Sequence, residues 1–544
     1  MSNTGGRYSA FVRTTCYRPN EGCKWLQCCL QSHHKSNNSS DSSGNRRFVQ
    51  PVYCMDFKPL PAGKVSAWDG TADVLIVGFG GAGACAAIEA ADGGASVIIF
   101  DAASGAGGST ALSSAELYLG GGTSVQRAVG YDDSVEATYG YLMAANSPQA
   151  DPEKVRAYAE GGPGHLDWLK SLGVPFKQSE YPHRAMMALT DDCLLYTGSE
   201  KAWPYRDQFA PAPRGHNLEV EGDNGGPLLM QLLEAAVRER GVSIALESRA
   251  LRLIVNVQDD LPVVCGVVVR QDGEERYYRA EQGVVLCAGG FVMNSDMLNK
   301  YAPKLQSATI PIGNPNDTGA GILMAAALGA RLINMDEGFV SLPFYPPASL
   351  TFGILVDGNG QRFINEDVYH GRVGTLILDQ TWPVYLVVSV EDYADYETVS
   401  YLGAPIAATG ETIEELCAEL GLPAGSLETT ITTFNASAAQ GEDPQCHKHP
   451  DWLKPLAAPL VALDCTPGRG AFFPYFTLGG VDTTVEGAVL NEAGCPIPGL
   501  YAAGRTACGV PRRGDGYASG SSVGDATFSG RQAGRAVAQR GDSS

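Results

Sequence analysis

The chain has 544 residues, enough for about two to four domains with sizeable buried cores. Its 60 acidic against 39 basic side chains leave a formal charge of −21, which argues against a nucleic-acid partner, because phosphate binding needs basic patches. Its 44% of hydrophobic residues is the share of an ordinary soluble protein, and no apolar run reaches the roughly 20 residues of a membrane span.

Residues 1–54 differ from the rest, with SHHKSNNSSDSSGNRR in the middle, a basic excess and five of the fourteen cysteines. They are expected to be disordered or a non-native extension, with Met55 the true start. An Arg- and Ser-rich start also suits a transit peptide, although its amphipathic pattern is weak. Cys16, Cys23, Cys28 and Cys29 lack a repeated CxxC pair, so no metal site is expected. The other cysteines, such as Cys265 in PVVCGVVV and Cys287 in VVLCAGG, read as small core residues in a reducing compartment. That implies a cytoplasmic location.

Ala72 to Asp101, ADVLIVGFGGAGACAAIEAADGGASVIIFD, predicts a strand, a glycine turn, a helix through Ala84–Ala91 and a second strand at Val97–Phe100. Gly78, Gly80 and Gly83 give GxGxxG where the helix begins, and Asp101 ends the second strand where a ribose hydroxyl would be accepted. This is a dinucleotide cradle. A second glycine-rich loop follows in SGAGGST, with Gly107, Gly108, Ser109 and Thr110 ahead of an expected helix start. A second loop so soon suggests a cofactor larger than a nicotinamide dinucleotide.

Asp132–Gly173 spaces its apolar residues at three and four and reads as helical. Lys177–Gly225 is irregular and rich in Pro, Trp and Tyr, as a lid or substrate-facing insert would be. Pro227–Arg240 predicts an amphipathic helix. Strands near Val242–Leu246, Leu251–Val255, Val263–Arg270 and Glu275–Arg279 read as an inserted β-meander, and Val284–Gly290 as a buried strand entering another glycine turn. Ala518–Gln539 predicts a last helix whose N-terminus favours electron density on a cofactor.

GFGGAG with Asp101, GGST, VVLCAGGF and GLYAAGR stand in the order and approximate spacing of the FAD-dependent fumarate reductase and succinate dehydrogenase flavoprotein family, which the chain resembles from about residue 70 onward. The resemblance implies an α/β fold: a Rossmann-like FAD-binding domain with the inserted meander, interrupted by an α+β catalytic domain. The FAD-binding parts would be residues 55–335 and 471–544, and the catalytic domain residues 336–470. FAD contacts are implied at Gly78, Gly80, Gly81, Ala82, Gly83 and Asp101, and at Gly107, Gly108, Ser109 and Thr110. Others fall at Ala250, Ala288 and Gly289, and at Gly504, Arg505, Ser521, Ser522 and Val523. No His follows Gly108 at the position of covalent attachment, so the FAD is expected to be non-covalent.

The chain departs from the dicarboxylate members at three places. Tyr475 and Phe476 precede Thr477-Leu478-Gly479-Gly480 where those enzymes carry His. Arg362-Phe363-Ile364-Asn365-Glu366-Asp367-Val368-Tyr369-His370-Gly371 lacks their proton-donating Arg, and GDGYASG places Tyr517 and Ser519 where they hold a substrate Arg. A dianion in a desolvated pocket needs charge-assisted partners. Tyrosines and a serine suit a neutral, bulky, apolar ketone instead, and the set is similar to the 3-ketosteroid dehydrogenase branch. NEDxYHG and GYASGSSxGDxTxxGRxAG most resemble its 4-dehydrogenases, with the 1-dehydrogenases next. A fumarate reductase-like dicarboxylate reductase and a non-catalytic flavin-binding protein are the further alternatives.

Desaturation beside a ketone removes a proton from the α-carbon and a hydride from the β-carbon. Tyr517, a phenol that donates without adding a full charge, is the candidate donor to the ketone; the resemblance gives Tyr369 the role of base, with Ser519 or another tyrosine as relay. A slip of one residue would exchange Tyr369 with His370. A phenol pKa near about 10 means that the base must be lowered or its proton passed on. The expected partners are a steroid substrate and an electron acceptor of unknown identity.

Overall fold

Val74–Val77 is buried on both faces, as a central strand of a parallel sheet must be. It closes β1 (Gly70–Val77), which leads into α1 (Gly81–Asp92) and β2 (Val97–Phe100), with β2 paired in parallel so that Val74 faces Val97. The computed structural model describes residues 56–184, 188–222, 224–258, 261–342, 348–394, 396 and 403–540. The expectations for residues 1–54, including the cysteine cluster and Met55, lie outside the described residues.

Next come β3 (Leu117–Tyr118), α2 (Pro152–Ser171), β4 (Leu194–Leu195) and β5 (Gly215–His216), where β5 pairs antiparallel with both β3 and β4. The helix expected after Thr110 is a series of turns. The competing contact is tertiary. Gly226, in the first turn of α3 (Gly225–Glu239), donates its N–H to the Ser113 carbonyl at 3.1 Å and packs so tightly on that turn that a side chain would overlap it.

β6 (Ser243–Ala245) joins β2 in parallel at the sheet edge rather than the meander. The meander is β7 (Arg249–Gln258), β8 (Leu261–Gln271) and β9 (Glu274–Leu286). The two strands expected at Glu275–Arg279 and Val284–Gly290 are one continuous strand. Glu274–Arg279 pair antiparallel with β8, and from Tyr278 onward the strand lies parallel to β1, with a bulge between Ala280 and Gly283 inside that pairing. One strand therefore carries the meander back into the cofactor sheet.

Farther along are β10 (Gly338–Val340), β11 (Ile354–Val356), α4 (His370–Ile377), β12 (Tyr385–Ser389), β13 (Ile406–Gly410), α5 (Ile413–Glu419), α6 (Ser426–Ala438) and β14 (Leu460–Asp464). Strands β11, β12, β14 and β13 form an antiparallel sheet whose core shares Leu416, Leu427, Ile431 and Phe434 with α5 and α6. β15 (Pro474–Thr477) pairs with β10, and β16 (Pro496–Ala502) returns the chain to β9 with Val284 opposite Leu500.

The last helix, α7 (Ser521–Gln539), lies against α1. Gly530 and Gly534 sit on the carbonyls of Ala82 and Ala86, where a Cβ would overlap them. Glu89 of α1 bolts the crossing by accepting from Arg531 at 2.6 Å and from Arg535 at 2.7 Å. Among the described residues no helix is long and apolar enough to cross a membrane.

Candidate active site

The turn after β1 is tight because Gly78 has φ 107° and a Cβ there would overlap the Cys287 carbonyl. Gly83 sits where a side chain would strike the Gly78 carbonyl, so it closes α1 onto the strand and does not line the cavity above. Gly78, Gly80, Gly81 and Ala82 do line it. Asp101 is half-buried at one end, its Oδ2 accepting from Phe79 N–H at 2.6 Å and its Oδ1 from Ala103 N–H at 2.8 Å. Burial pushes its carboxyl up, opposed by those two N–H groups and by Arg249.

The second loop folds over the first through a bridge between Gly80 and Gly107, and the Thr110 hydroxyl accepts from Gly81 N–H at 3.1 Å. Gly108, Ser109 and Thr110 line the cavity, and Gly107 stands outside its wall. The Ser109 hydroxyl is engaged: it donates to Asp317 and accepts from Asn314 N–H at 2.8 Å. Ala250, Ala288, Gly289, Gly504, Arg505, Ser522 and Val523 complete the wall, while Ser521 stands outside it.

Seven separate stretches thus line one cavity. A closed glycine turn, a helix N-terminus, an acid at one end and two further backbone loops fit an extended dinucleotide with a second ring system.

At the other end the cavity is aromatic. Phe339 on β10 and Phe476 on β15 face each other across the strand pair, their ring centres 4.7 Å apart. Tyr517 lies 4.8 Å and Tyr369 6.4 Å from the Phe339 ring, and both phenols are buried. Ser519 and Glu116 also line the cavity, the carboxyl oxygens of Glu116 themselves being buried.

Tyr369 caps the N-terminus of α4, with its N–H donating to the Ser199 hydroxyl at 3.1 Å. The segment before it is fixed by a buried ion cluster. Arg362 bonds Glu366 at 2.9 Å and Asp443 at 3.0 Å, and Lys448 bonds Glu366 at 3.2 Å. Arg184 donates to the carbonyls of Asp367 and Val368 at 2.6 and 2.7 Å. His370 points away into the protein and is absent from the cavity wall among the described residues.

Burial pushes the Tyr369 phenol well up, with Tyr517 and Glu116 adding to the rise and the Ser519 hydroxyl opposing it. Tyr517 is pushed up by burial and drawn back by Arg505 and Ser522. Its hydroxyl donates to Ser522 Oγ at 2.9 Å, and the same oxygen accepts from Arg505 at 2.9 Å. Arg505 also stacks 3.9 Å over the Phe476 ring and donates to the Thr477 carbonyl. The other guanidinium on the wall, Arg249, donates to Asn316 at 2.7 Å, near Asp101.

Several lining residues escape the sequence reading. Asn314, Asn316 and Asp317 come from GNPNDTGAG, whose glycine-rich turn before a helix is a usable signal. Phe339 has none, because its place depends on a strand partner far along the chain. Glu116 shows only as a lone charge in the apolar stretch AELYL.

The FAD binding domain family matches residues 73–520. The chain belongs to this family. The flavoprotein is 42% identical to a 3-ketosteroid-delta4-(5alpha)-dehydrogenase from Rhodococcus jostii RHA1, solved in complex with 4-androstene-3,17-dione. The match covers 88% of this chain and 99% of that one, with a TM-score of 0.84. It is 27% identical to a 3-oxosteroid 1-dehydrogenase of Mycobacterium tuberculosis, across 80% of this chain and 93% of the other. A probable fumarate reductase of Shewanella frigidimarina is 29% identical, across 90% and 82% respectively. The expected family, fold class and FAD cofactor therefore hold, and the protein is an FAD-dependent oxidoreductase.

Proposed function

We propose that this oxidoreductase is a 3-ketosteroid dehydrogenase that introduces a double bond between carbons 4 and 5 of a saturated 3-ketosteroid. The observation that carries the reading is the aromatic corner of Phe339, Tyr369, Phe476 and Tyr517, which offers phenols and apolar rings. Among the described residues both guanidiniums on the wall already have partners, which leaves a dicarboxylate no uncommitted cation there. A neutral ketone loses little on entering such a pocket. The likeness to the Rhodococcus enzyme supports desaturation at carbon 4, and that to the Mycobacterium enzyme supports carbon 1 as the second reading.

Residues of the two glycine loops, Asp101, Ala288, Gly289, Gly504 and the start of α7 would hold the FAD, without a covalent bond. When bound, FAD supplies the acceptor for the hydride from carbon 5. Tyr517 exchanges its bond to Ser522 Oγ for one donated to the ketone oxygen, and the Ser522 N–H, 3.3 Å from the phenol oxygen, with Arg505 holding Ser522 Oγ, strengthens that donor. Tyr369 takes the proton from carbon 4 and Ser519 passes a proton on. We assign the substrate domain to residues 336–470, between FAD-binding parts at 55–335 and 471–544. The buried free thiols of Cys85, Cys287 and Cys508 suit a cytoplasmic location.

Turnover with an artificial electron acceptor tests the reading. A saturated 3-ketosteroid is the expected substrate and succinate is not. Turnover of succinate alone would assign the dicarboxylate function, and turnover of neither would leave a flavin-binding protein without catalysis.

A further inference from the structure

Glu116 stands at the substrate end of the cavity with its side chain buried and both carboxyl oxygens outside full hydrogen-bond geometry. A buried carboxyl in that state is costly unless a function holds it there. Its Oε1 lies 2.9 Å from where a Cβ on Gly215 would stand, so the glycine leaves room for the carboxyl. The Ser519 hydroxyl faces both this carboxyl and the Tyr369 phenol, and it favours the charged form of each.

We infer that Glu116 is the terminus of a proton relay that runs from the substrate's carbon 4 through Tyr369 and Ser519. The inference rests on the desaturase reading of the site. As the carbon 4 proton bonds to the Tyr369 oxygen, the phenolic proton moves to the Ser519 oxygen. The Ser519 proton then moves to the carboxylate of Glu116. One proton enters, one carboxylate becomes a carboxylic acid, and both hydroxyls end as they began. The relay removes the need for a free tyrosinate at a phenol that burial holds neutral.

The surroundings decide which carboxyl receives the proton. Glu200, the second buried acid, accepts from Tyr118 at 2.7 Å and from Gly198 N–H at 3.0 Å, and it faces Arg214, whose own partner is Asp133 at 2.7 Å. Those contacts keep Glu200 the better anion. Around Glu116 itself stand Thr197, Ser519, Glu200, Tyr369, Tyr517 and the neutral Cys193 thiol. Nearby on β5, His216 is pushed down to about 4 by burial and is neutral. Burial, opposed by the Thr197 and Ser519 hydroxyls and reinforced by Glu200, pushes Glu116 up to about 8.

The test is anaerobic flavin reduction by a saturated 3-ketosteroid across pH, in the holoenzyme, in Glu116→Gln and in Glu116→Asp. The wild-type reduction rate is expected to rise through one ionisation near pH 8. Glu116→Gln should lose that limb and about 10²-fold in rate while keeping its yellow spectrum, and Glu116→Asp should restore the limb at a shifted midpoint. A second readout needs no turnover. A raised carboxyl stabilises below its ordinary pKa and loses that contribution as pH rises through about 8, so the melting temperature of Glu116→Gln should fall less toward alkaline pH than that of the wild type. A wild-type rate and profile in Glu116→Gln would overturn the relay and leave the desaturase reading standing. If Glu116→Gln fails to retain FAD, a wild-type reduction rate without that limb overturns the relay equally. A wild-type flavin that no such steroid bleaches overturns the desaturase reading and the relay with it.

Discussion

Tyr369 and Tyr517 reach one apolar corner by different routes, and their surroundings suit them to different work. Tyr517 leans on Ser522 and Arg505, which together favour giving its proton to an acceptor that gains negative charge. Tyr369 has no cation beside it among the groups that shift it, and its nearest polar outlet is Ser519. Tyr517→Phe and Tyr369→Phe should each keep the FAD spectrum and lose about 10²- to 10³-fold of turnover in steady-state assays. Near-normal turnover in either variant would remove that residue from its role. Tyrosines at these two positions were legible in the sequence because they replace charged residues inside recognisable motifs. Glu116 was not, because what marks it is a buried carboxyl outside full hydrogen-bond geometry, which only the fold reveals.

Among the elements, β1 and α1 were readable because every contact that shapes the turn between them is local, down to the Gly83 position against the Gly78 carbonyl. Gly83→Ala is expected to destabilise by about 3 kcal/mol and to yield protein that purifies without its yellow colour, as melting and absorbance would record. The turns after Thr110 and the unbroken β9 were misread for a common reason. In each case a distant partner, Gly226 in the first and β1 in the second, overrides a local glycine or helix-forming signal. The segment leading to α4 depends on buried charge. Removing one member of the cluster, as in Asp443→Ala, should cost about 3 to 5 kcal/mol by leaving Arg362 underpaired. Arg362 holds both Glu366 and Asp443 below the ordinary carboxylate range although burial opposes it. Their stabilisation is therefore complete above about pH 4 and is lost as the pH falls further, and thermal melting in acid should show that loss muted in Asp443→Ala.

At the scale of the molecule, the cofactor end and the substrate end are built from different kinds of information. The cofactor end consists of short glycine loops, each of which carries its own signature, so the FAD expectation could be assembled piece by piece before any long-range contact was known. The substrate end is set by pairings between β10 and β15 and by where α4 and α7 begin. Phe339 enters it only because Gly338–Val340 pairs with Thr477–Tyr475, a register that no local pattern announces. The function proposed for this corner is desaturation of a neutral ketosteroid at carbons 4 and 5. Anaerobic mixing of the yellow protein with a 5α-saturated 3-ketosteroid tests it most directly, followed by proton NMR of the extracted steroid. Stoichiometric loss of the flavin absorbance and a product with a single olefinic proton, at carbon 4, are expected. An unbleached flavin, or a product with a pair of olefinic protons at carbons 1 and 2, would contradict it.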